Sequence, residues 1–170
     1  MDLVVRPAVE ADWPAIWRIF RAVVAAGETY SYAPDITEDE ARTTWLHVAA
    51  GSSAGRVACT YVAVLGGEIV GTALVKPNLP GLGDHVANAG WMIEPALTGR
   101  GLGRTFAEAV IGEARQAGYE AMQFNAVVAT NDRAVTLWRS LGFETIGTVP
   151  GAFRHTTQGP TDLLIMHRPI

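Results

Sequence analysis

The sequence predicts an α+β domain built on a central mixed, mostly antiparallel sheet of about seven strands, flanked by four helices. Three observations carry that expectation. Short runs rich in β-branched and aromatic residues recur along the whole length of 170 residues. Between some of them, apolar residues instead fall at helical spacing. Strand patterns also follow one another directly, in the middle and at the end of the chain, which an alternating doubly wound fold does not show. Hydrophobic residues make up 49% of the chain and charged residues 18%, a balance that excludes an intrinsically disordered protein. Neither a linker nor a repeat divides the chain, so residues 1–170 read as a single domain.

The elements follow in order. Leu3–Arg6 is a short strand stopped by Pro7. Asp12 stands where its carboxylate can cap a helix, and Ile16, Ile19, Phe20 and Val23 then share one helical face. After the polar-aromatic loop Gly27–Ile36, Thr37 and Glu40 have capping-box spacing for a second helix. Arg56–Leu65 and Glu68–Lys76 are strands joined by Gly66-Gly67, a pair suited to the two positive-φ positions of a type I′ turn. Ala87–Glu94 is the next strand, ended by Pro95.

A third helix runs from about Arg100 to Ala117, with Leu102, Phe106, Val110 and Ala114 on one stripe and Gly118 as its cap. Glu120–Val128 is a strand. Asn131–Leu141 is the fourth helix, with Ala134, Leu137, Trp138 and Leu141 on its apolar face and Gly142 closing it. Phe143–Val149 and Thr161–His167 are the last strands, joined through a Gly-Ala-Phe-Arg-His loop.

Charge and composition remove several function classes. Net charge is −4, and no Lys/Arg cluster offers the basic face that nucleic acid requires. Arginine supplies every basic residue except Lys76, the only lysine. Met1-Asp2-Leu3 lacks the basic and apolar regions of a signal peptide, and no apolar run approaches the ~18 residues of a membrane span, so a cytoplasmic protein is expected. Cys59 is the only cysteine, which leaves no internal disulfide, and its apolar surroundings suit packing as a small hydrophobe. No His/Cys/Asp group has metal-ligand spacing, so no metal is expected.

Chemistry concentrates in one stretch. From Trp91-Met92-Ile93 through Thr98-Gly99-Arg100-Gly101-Leu102-Gly103-Arg104, a strand passes through a glycine-rich turn into a helix start. A helix N-terminus leaves about four backbone N–H groups unpaired and carries roughly half a positive charge, so it suits an anion such as pyrophosphate. Arg100 and Arg104 add charge there. The plainer alternative is a tight strand-to-helix turn. Thr98 and Arg104 break the P-loop pattern, while Arg104 and Phe106 break the dinucleotide fingerprint.

Ile93-x-Pro-x-x-x-Gly-x-Gly-x-Gly resembles the acyl-CoA-binding loop of the GNAT-superfamily N-acetyltransferases. Asn131-x-x-Ala-x-x-Leu-Trp-x-x-x-Gly-Phe resembles the second motif of the same superfamily, at a matching separation. The resemblance implies a GNAT-like fold, acetyl-CoA as donor and an amine as acceptor. By it, Trp91, Met92 and Ile93 offer backbone groups to the pantetheine arm, Gly99, Arg100, Gly101, Leu102, Gly103 and Arg104 hold the pyrophosphate, and Asn131 bonds the cofactor side of the cleft. Thr98 departs from the usual Arg or Gln. Trp138 stands where many members carry a tyrosine that protonates the leaving thiolate, and an indole N–H is no usable acid.

In similar proteins the last strands pair across a homodimer, and the resemblance brings that expectation here. A looser likeness, carried by Asn88, Phe124-Asn125, Thr130-Asn131 and Leu137-Trp138, is to acetyltransferases of proline analogues such as azetidine-2-carboxylate.

Acetyl transfer asks for a neutral amine, a fixed donor for the oxyanion and an acceptable leaving group; a thiol pKa near ~8.5 makes the last tolerable without an acid. Polar candidates near the sheet centre are His85, Asn88, Asn125 and His155. Asn125 is the candidate catalytic residue, with the two asparagines expected as strand amides oriented toward an acceptor. Tyr30 and Tyr32, with Glu28, lie where the resemblance places acceptor contacts. His47 and His167 read as surface residues, and Asp84 as either a base or a turn cap. The expected activity is N-acetylation of a small amine or amino-acid-like metabolite. A protein N-terminal acetyltransferase and a catalytically weak acyl-CoA sensor are the alternatives.

Overall fold

A computed structural model describes residues 2–48 and 56–170. Its strands are β1 (Leu3–Pro7), β2 (Cys59–Leu65), β3 (Glu68–Pro77), β4 (Val86–Ile93), β5 (Ala121–Val128), β6 (Glu144–His155) and β7 (Gly159–Pro169). The helices are α1 (Trp13–Ala25), α2 (Glu38–Trp45), α3 (Leu102–Gln116) and α4 (Asp132–Ser140). One sheet runs in the order β1-β2-β3-β4-β5-β7-β6, and every neighbouring pair is antiparallel except β4–β5. This is the expected α+β architecture. No helix among the described residues is long and apolar enough to cross a membrane.

Both faces of the sheet are covered, which is why β2 and β3 read as nearly continuous apolar runs. On one face α3 packs Phe106, Val110 and Ala114, and α4 packs Trp138, against Ala73, Val75, Ala87 and Met122. On the other face α1 buries Ile16, Ile19, Phe20 and Val24, and α2 buries Trp45, against Val62, Leu74 and Met92. The indole N–H of Trp45 donates to Thr72 Oγ1 at 2.9 Å, so the buried donor is satisfied. The capping box of α2 forms as expected, and Gly66 and Gly67 take φ of 59° and 89° at the β2–β3 turn.

Several local expectations are corrected. Asp12 stands at the start of α1, but its carboxylate does not cap it; it accepts from Val9 N–H at 2.8 Å and pairs with Arg6 at 2.7 Å. Those two local donors hold the side chain, and the Arg6 guanidinium keeps the carboxyl below its ordinary range. Val24, not Val23, completes the buried stripe of α1. The first long strand begins at Cys59 rather than Arg56; Arg56 instead pairs with Asp84 at 2.9 Å. The largest difference is at the C-terminal hairpin. Gly151–His155, read as a loop, continues β6, whose register slips between Thr145 and Gly147 and between Val149 and Phe153. Such bulges break the alternation that marks a strand in sequence.

Candidate active site

β4 and β5 pair only through Val86–Asn88 and Ala121–Gln123, then separate. The separation opens a cleft of about 1630 Å³ between the C-terminal halves of the two strands. Which groups of β4 face the gap follows from its pairing with β3. Asn78 N–H donates to the carbonyl of Val86, and Glu94 N–H to that of Val70, both at 2.8 Å. Even-numbered residues of β4 therefore bond toward β3, and Trp91 and Ile93 turn their backbone groups away from it, into the gap.

One end of the cleft is made by glycines and helix starts. Gly99 and Gly101 both have φ of +81°, a left-handed conformation that favours glycine, and a Cβ on either would meet nothing within 4 Å. The backbone dihedral and the open space above it, rather than packing, explain these two glycines. Gly101 stands at the start of α3, and Asn131 caps α4 by accepting from Ala134 N–H at 3.2 Å. Two helix N-termini thus face the same space. Arg104 lines it while bonded to Glu108 and Ser140, and Arg133 reaches Thr98 Oγ1 at 3.4 Å. Arg100 and Leu102 lie outside the lining. Arg133, not singled out by the sequence, has no motif signal beyond its place in the first turn of α4.

The other end is made by amides. Asn78 Oδ1 accepts from Asn125 at 2.7 Å and from Asn88 at 3.3 Å, while Asn125 Oδ1 accepts from Gln123 at 2.9 Å. Lys76, directly opposite Asn88 across β3 and β4, lines the same end. No carboxylate among the described residues pairs with it. Asn125 is exposed to the cleft, not enclosed in the sheet, because β5 has already left β4 at that position. An amide there can orient a ligand but cannot take or give a proton at neutral pH. Lys76 and Asn78 escaped the sequence reading as site residues because neither belongs to a motif.

Two further walls complete the amide end. From the α1–α2 loop, the Tyr30 hydroxyl donates to the Trp91 carbonyl at 2.8 Å, and its ring stacks with Tyr32 at 5.9 Å. Gly90 makes this contact feasible, since a Cβ there would lie 3.0 Å from that hydroxyl. Burial pushes both tyrosine hydroxyls above their ordinary range, so they stay protonated at neutral pH. From the β6–β7 hairpin come His155, Thr157 and Gln158. Thr157 N–H donates to His155 Nδ1 at 3.2 Å, which leaves the neutral ring its proton on Nε2.

His85 lies outside the cleft. It precedes β4 at the paired end, where its carbonyl accepts from Glu120 N–H at 2.9 Å. Asp84 is taken by Arg56. Trp138 lines the cleft and is packed at 4.9 Å on Trp91 and 4.7 Å on Phe124. The indole nitrogen of Trp91 is buried without a hydrogen-bond partner, the one such side-chain atom among the described residues. An unpaired donor beside an open strand edge, two left-handed glycines and two helix N-termini suit a long ligand with amide groups and a phosphorylated end. Among the described residues no group of three or more His, Cys, Asp or Glu can hold a metal ion.

Comparison with known proteins agrees with this geometry. The profile of the Acetyltransferase (GNAT) family matches residues 16–143. A GCN5-related N-acetyltransferase from Kribbella flavida is 49% identical, with a TM-score of 0.91 over 99% of this chain and 98% of its own. A phosphinothricin acetyltransferase from Sinorhizobium meliloti, solved with AcCoA, shares the fold at a TM-score of 0.83 and 22% identity over 100% of this chain and 89% of its own. N-acetyltransferase aca1 of Schizosaccharomyces pombe is 35% identical over 87 residues, which cover 51% of this chain and 42% of that protein. The chain thus spans less than half the length of the curated relatives it matches. The family match covers most of the chain, includes the glycine-rich turn and ends just past α4: this protein belongs to the GNAT acetyltransferase family.

Proposed function

We propose that the chain, working as a single domain, transfers the acetyl group of acetyl-CoA to the amine of a small, amino-acid-like metabolite. The observation that carries the reading is the opening of β4 from β5 between two chemically different ends, one suited to an anion and the other to a polar amine. Acetyl-CoA supplies an activated acyl thioester. The glycine end, through Gly99, Gly101, Gly103 and Arg104 of the lining, binds its pyrophosphate at the start of α3, and Asn131 bonds the cofactor side of the cleft. The backbone N–H of Trp91, whose carbonyl is already bonded by Tyr30, and the backbone groups of Ile93 hold the pantetheine arm and direct a donor to the thioester oxygen.

At the amide end, Asn88 and Asn125 orient the acceptor. Tyr30, Tyr32 and His155 enclose it, and Lys76 faces its carboxylate. The amine loses its proton to water or to Glu28, the one carboxylate among the described residues that lines that end. With Trp138 in place of an acid, the thiolate leaves unprotonated, which its low basicity permits. A homodimer belongs to the same reading, supported by the unpaired outer edge of β6 and its exposed Ile146 and Val149. So does a cytoplasmic setting.

The test begins with melting in excess acetyl-CoA. At ~100 times the Kd, binding adds roughly 2.7 kcal/mol of stability, which a melt resolves. An upward shift followed by CoA release with free amino acids is the expected result. No shift at millimolar acetyl-CoA would remove the reading.

A further inference from the structure

The two walls of the amide end, the α1–α2 loop and the β6–β7 hairpin, touch at Gly27 and Thr156. Gly27, just past the end of α1, takes φ of +65°, and a Cβ there would stand only 2.3 Å from the Thr156 methyl group. Thr156, at the tip of the β6–β7 hairpin, donates its N–H to the Gly27 carbonyl at 3.2 Å. Its hydroxyl donates to the Ala26 carbonyl at 3.0 Å. We propose that Gly27 and Thr156 form a latch that roofs the acceptor chamber and limits its acceptors to small free amines, excluding a polypeptide N-terminus.

The inference rests on acetyl transfer at this cleft and adds the residues that select the acceptor. Three features make the latch more than a surface contact. The α1–α2 loop is held a second time, three residues on, by Tyr30 on the Trp91 carbonyl, so the wall between the two anchors has little freedom. The hairpin tip is folded onto itself by Thr157 N–H on His155 Nδ1, and His155 is only 8% exposed. Residues just beyond the latch on both sides, Glu28 and Thr29 on one and Thr157 and Gln158 on the other, line the cleft. An extended chain passing between two walls and bonding both needs about 4.8 Å to each. Where Thr156 bonds Gly27 and Ala26 the walls leave no such passage. A small amine needs only the space beneath.

The latch also explains why position 27 is glycine. Any side chain would strain the backbone and push the hairpin away.

The test compares CoA release by the full chain with two acceptor panels, free amino acids and hexapeptides bearing a free alanine or serine N-terminus. Wild type is expected to release CoA with members of the first panel and not above background with the second. Thr156→Gly removes the hydroxyl bond and the methyl contact. It should raise the acceptor KM about fivefold, the worth of one such bond, and leave the KM for acetyl-CoA unchanged. Gly27→Ala should raise the acceptor KM further, and adding Thr156→Gly to it should recover part of the loss by returning the space. A protein merely loosened overall would lose kcat and both KM values together. Hexapeptide turnover by wild type at or above that of the free amino acids would overturn the latch alone, as would an unchanged acceptor KM in both variants. Absence of CoA release with every amine would overturn the acetyl-transfer reading and the latch with it.

Discussion

The glycine end of the cleft comes largely from one stretch of chain, Thr98–Arg104, backed by the first turn of α4. The amide end is gathered from the α1–α2 loop, the end of β3, β4, β5 and the β6–β7 hairpin. Their contacts differ accordingly. Asn78 and Asn125, hydrogen-bonded at 2.7 Å, are 47 positions apart in sequence, and Thr156 and Ala26 are 130 apart. At the glycine end the shape follows from the φ of Gly99 and Gly101, a property of single residues. A site made by local dihedrals is broken by one substitution. A site made by long-range convergence spreads its energy over several partners, so losing one leaves the others in place.

Trp138 stands between the two ends, and its removal should have the largest effect. The ring is 8% exposed and packs on Trp91, Phe124 and Phe143. Trp138→Ala should cost about 3–5 kcal/mol through the cavity it leaves. In a denaturant titration the midpoint should fall well below that of wild type. Because Trp91 and Phe124 lose their support, acetyl-CoA affinity and acceptor KM should worsen together. Damage confined to one end would show that the ends do not share this wall.

Gly101→Val comes next and should strike one end only. A branched residue at φ near +81° carries a left-handed penalty of roughly 1–2 kcal/mol, so the binding-competent turn becomes a minor conformer. Calorimetry should report acetyl-CoA binding weaker by about tenfold or more, before any clash with the ligand itself. Unchanged affinity would mean that this turn does not hold the phosphates, and the division of the cleft would lose its clearest boundary.

The same contrast governs what the sequence reveals. Gly99, Gly101 and Asn131 stand out in the sequence because they belong to two short motifs, each made by neighbours in the chain. The order of elements along the chain was legible for a related reason, since Gly66-Gly67 mark the turn between β2 and β3, and Gly118 and Gly142 mark the ends of α3 and α4. Lys76 and Asn78 carry no such mark; only the register of β3 on β4 makes them neighbours of Asn88. His85 misleads in the opposite sense, three residues from Asn88 in sequence yet at the paired end of the strand. In β6, Pro150 and Gly151 look like a turn because two register slips interrupt the alternation, although Phe153–His155 still pair with β7.

The smallest effect is expected at the amide end, and it decides whether convergence there buffers the site. Asn125→Ala removes the bond to Asn78 and the one from Gln123 and leaves Lys76, Asn88 and His155 facing the cleft. Asn78 Oδ1 keeps Asn88 as a donor, and Gln123 is free to turn to water, so no buried polar group is stranded. The loss should therefore be that of one ordinary hydrogen bond, raising the acceptor KM about two- to tenfold. The KM for acetyl-CoA should stay at the wild-type value, since no contact of Asn125 reaches the glycine end. Steady-state kinetics with each substrate varied in turn separates the two. A collapse of kcat by several orders of magnitude would make Asn125 indispensable to the reaction itself, against the chemistry of an amide and against a site built from overlapping partners. Wild-type values in both parameters would leave Asn125 as a strand residue whose amide merely ties β5 to Asn78.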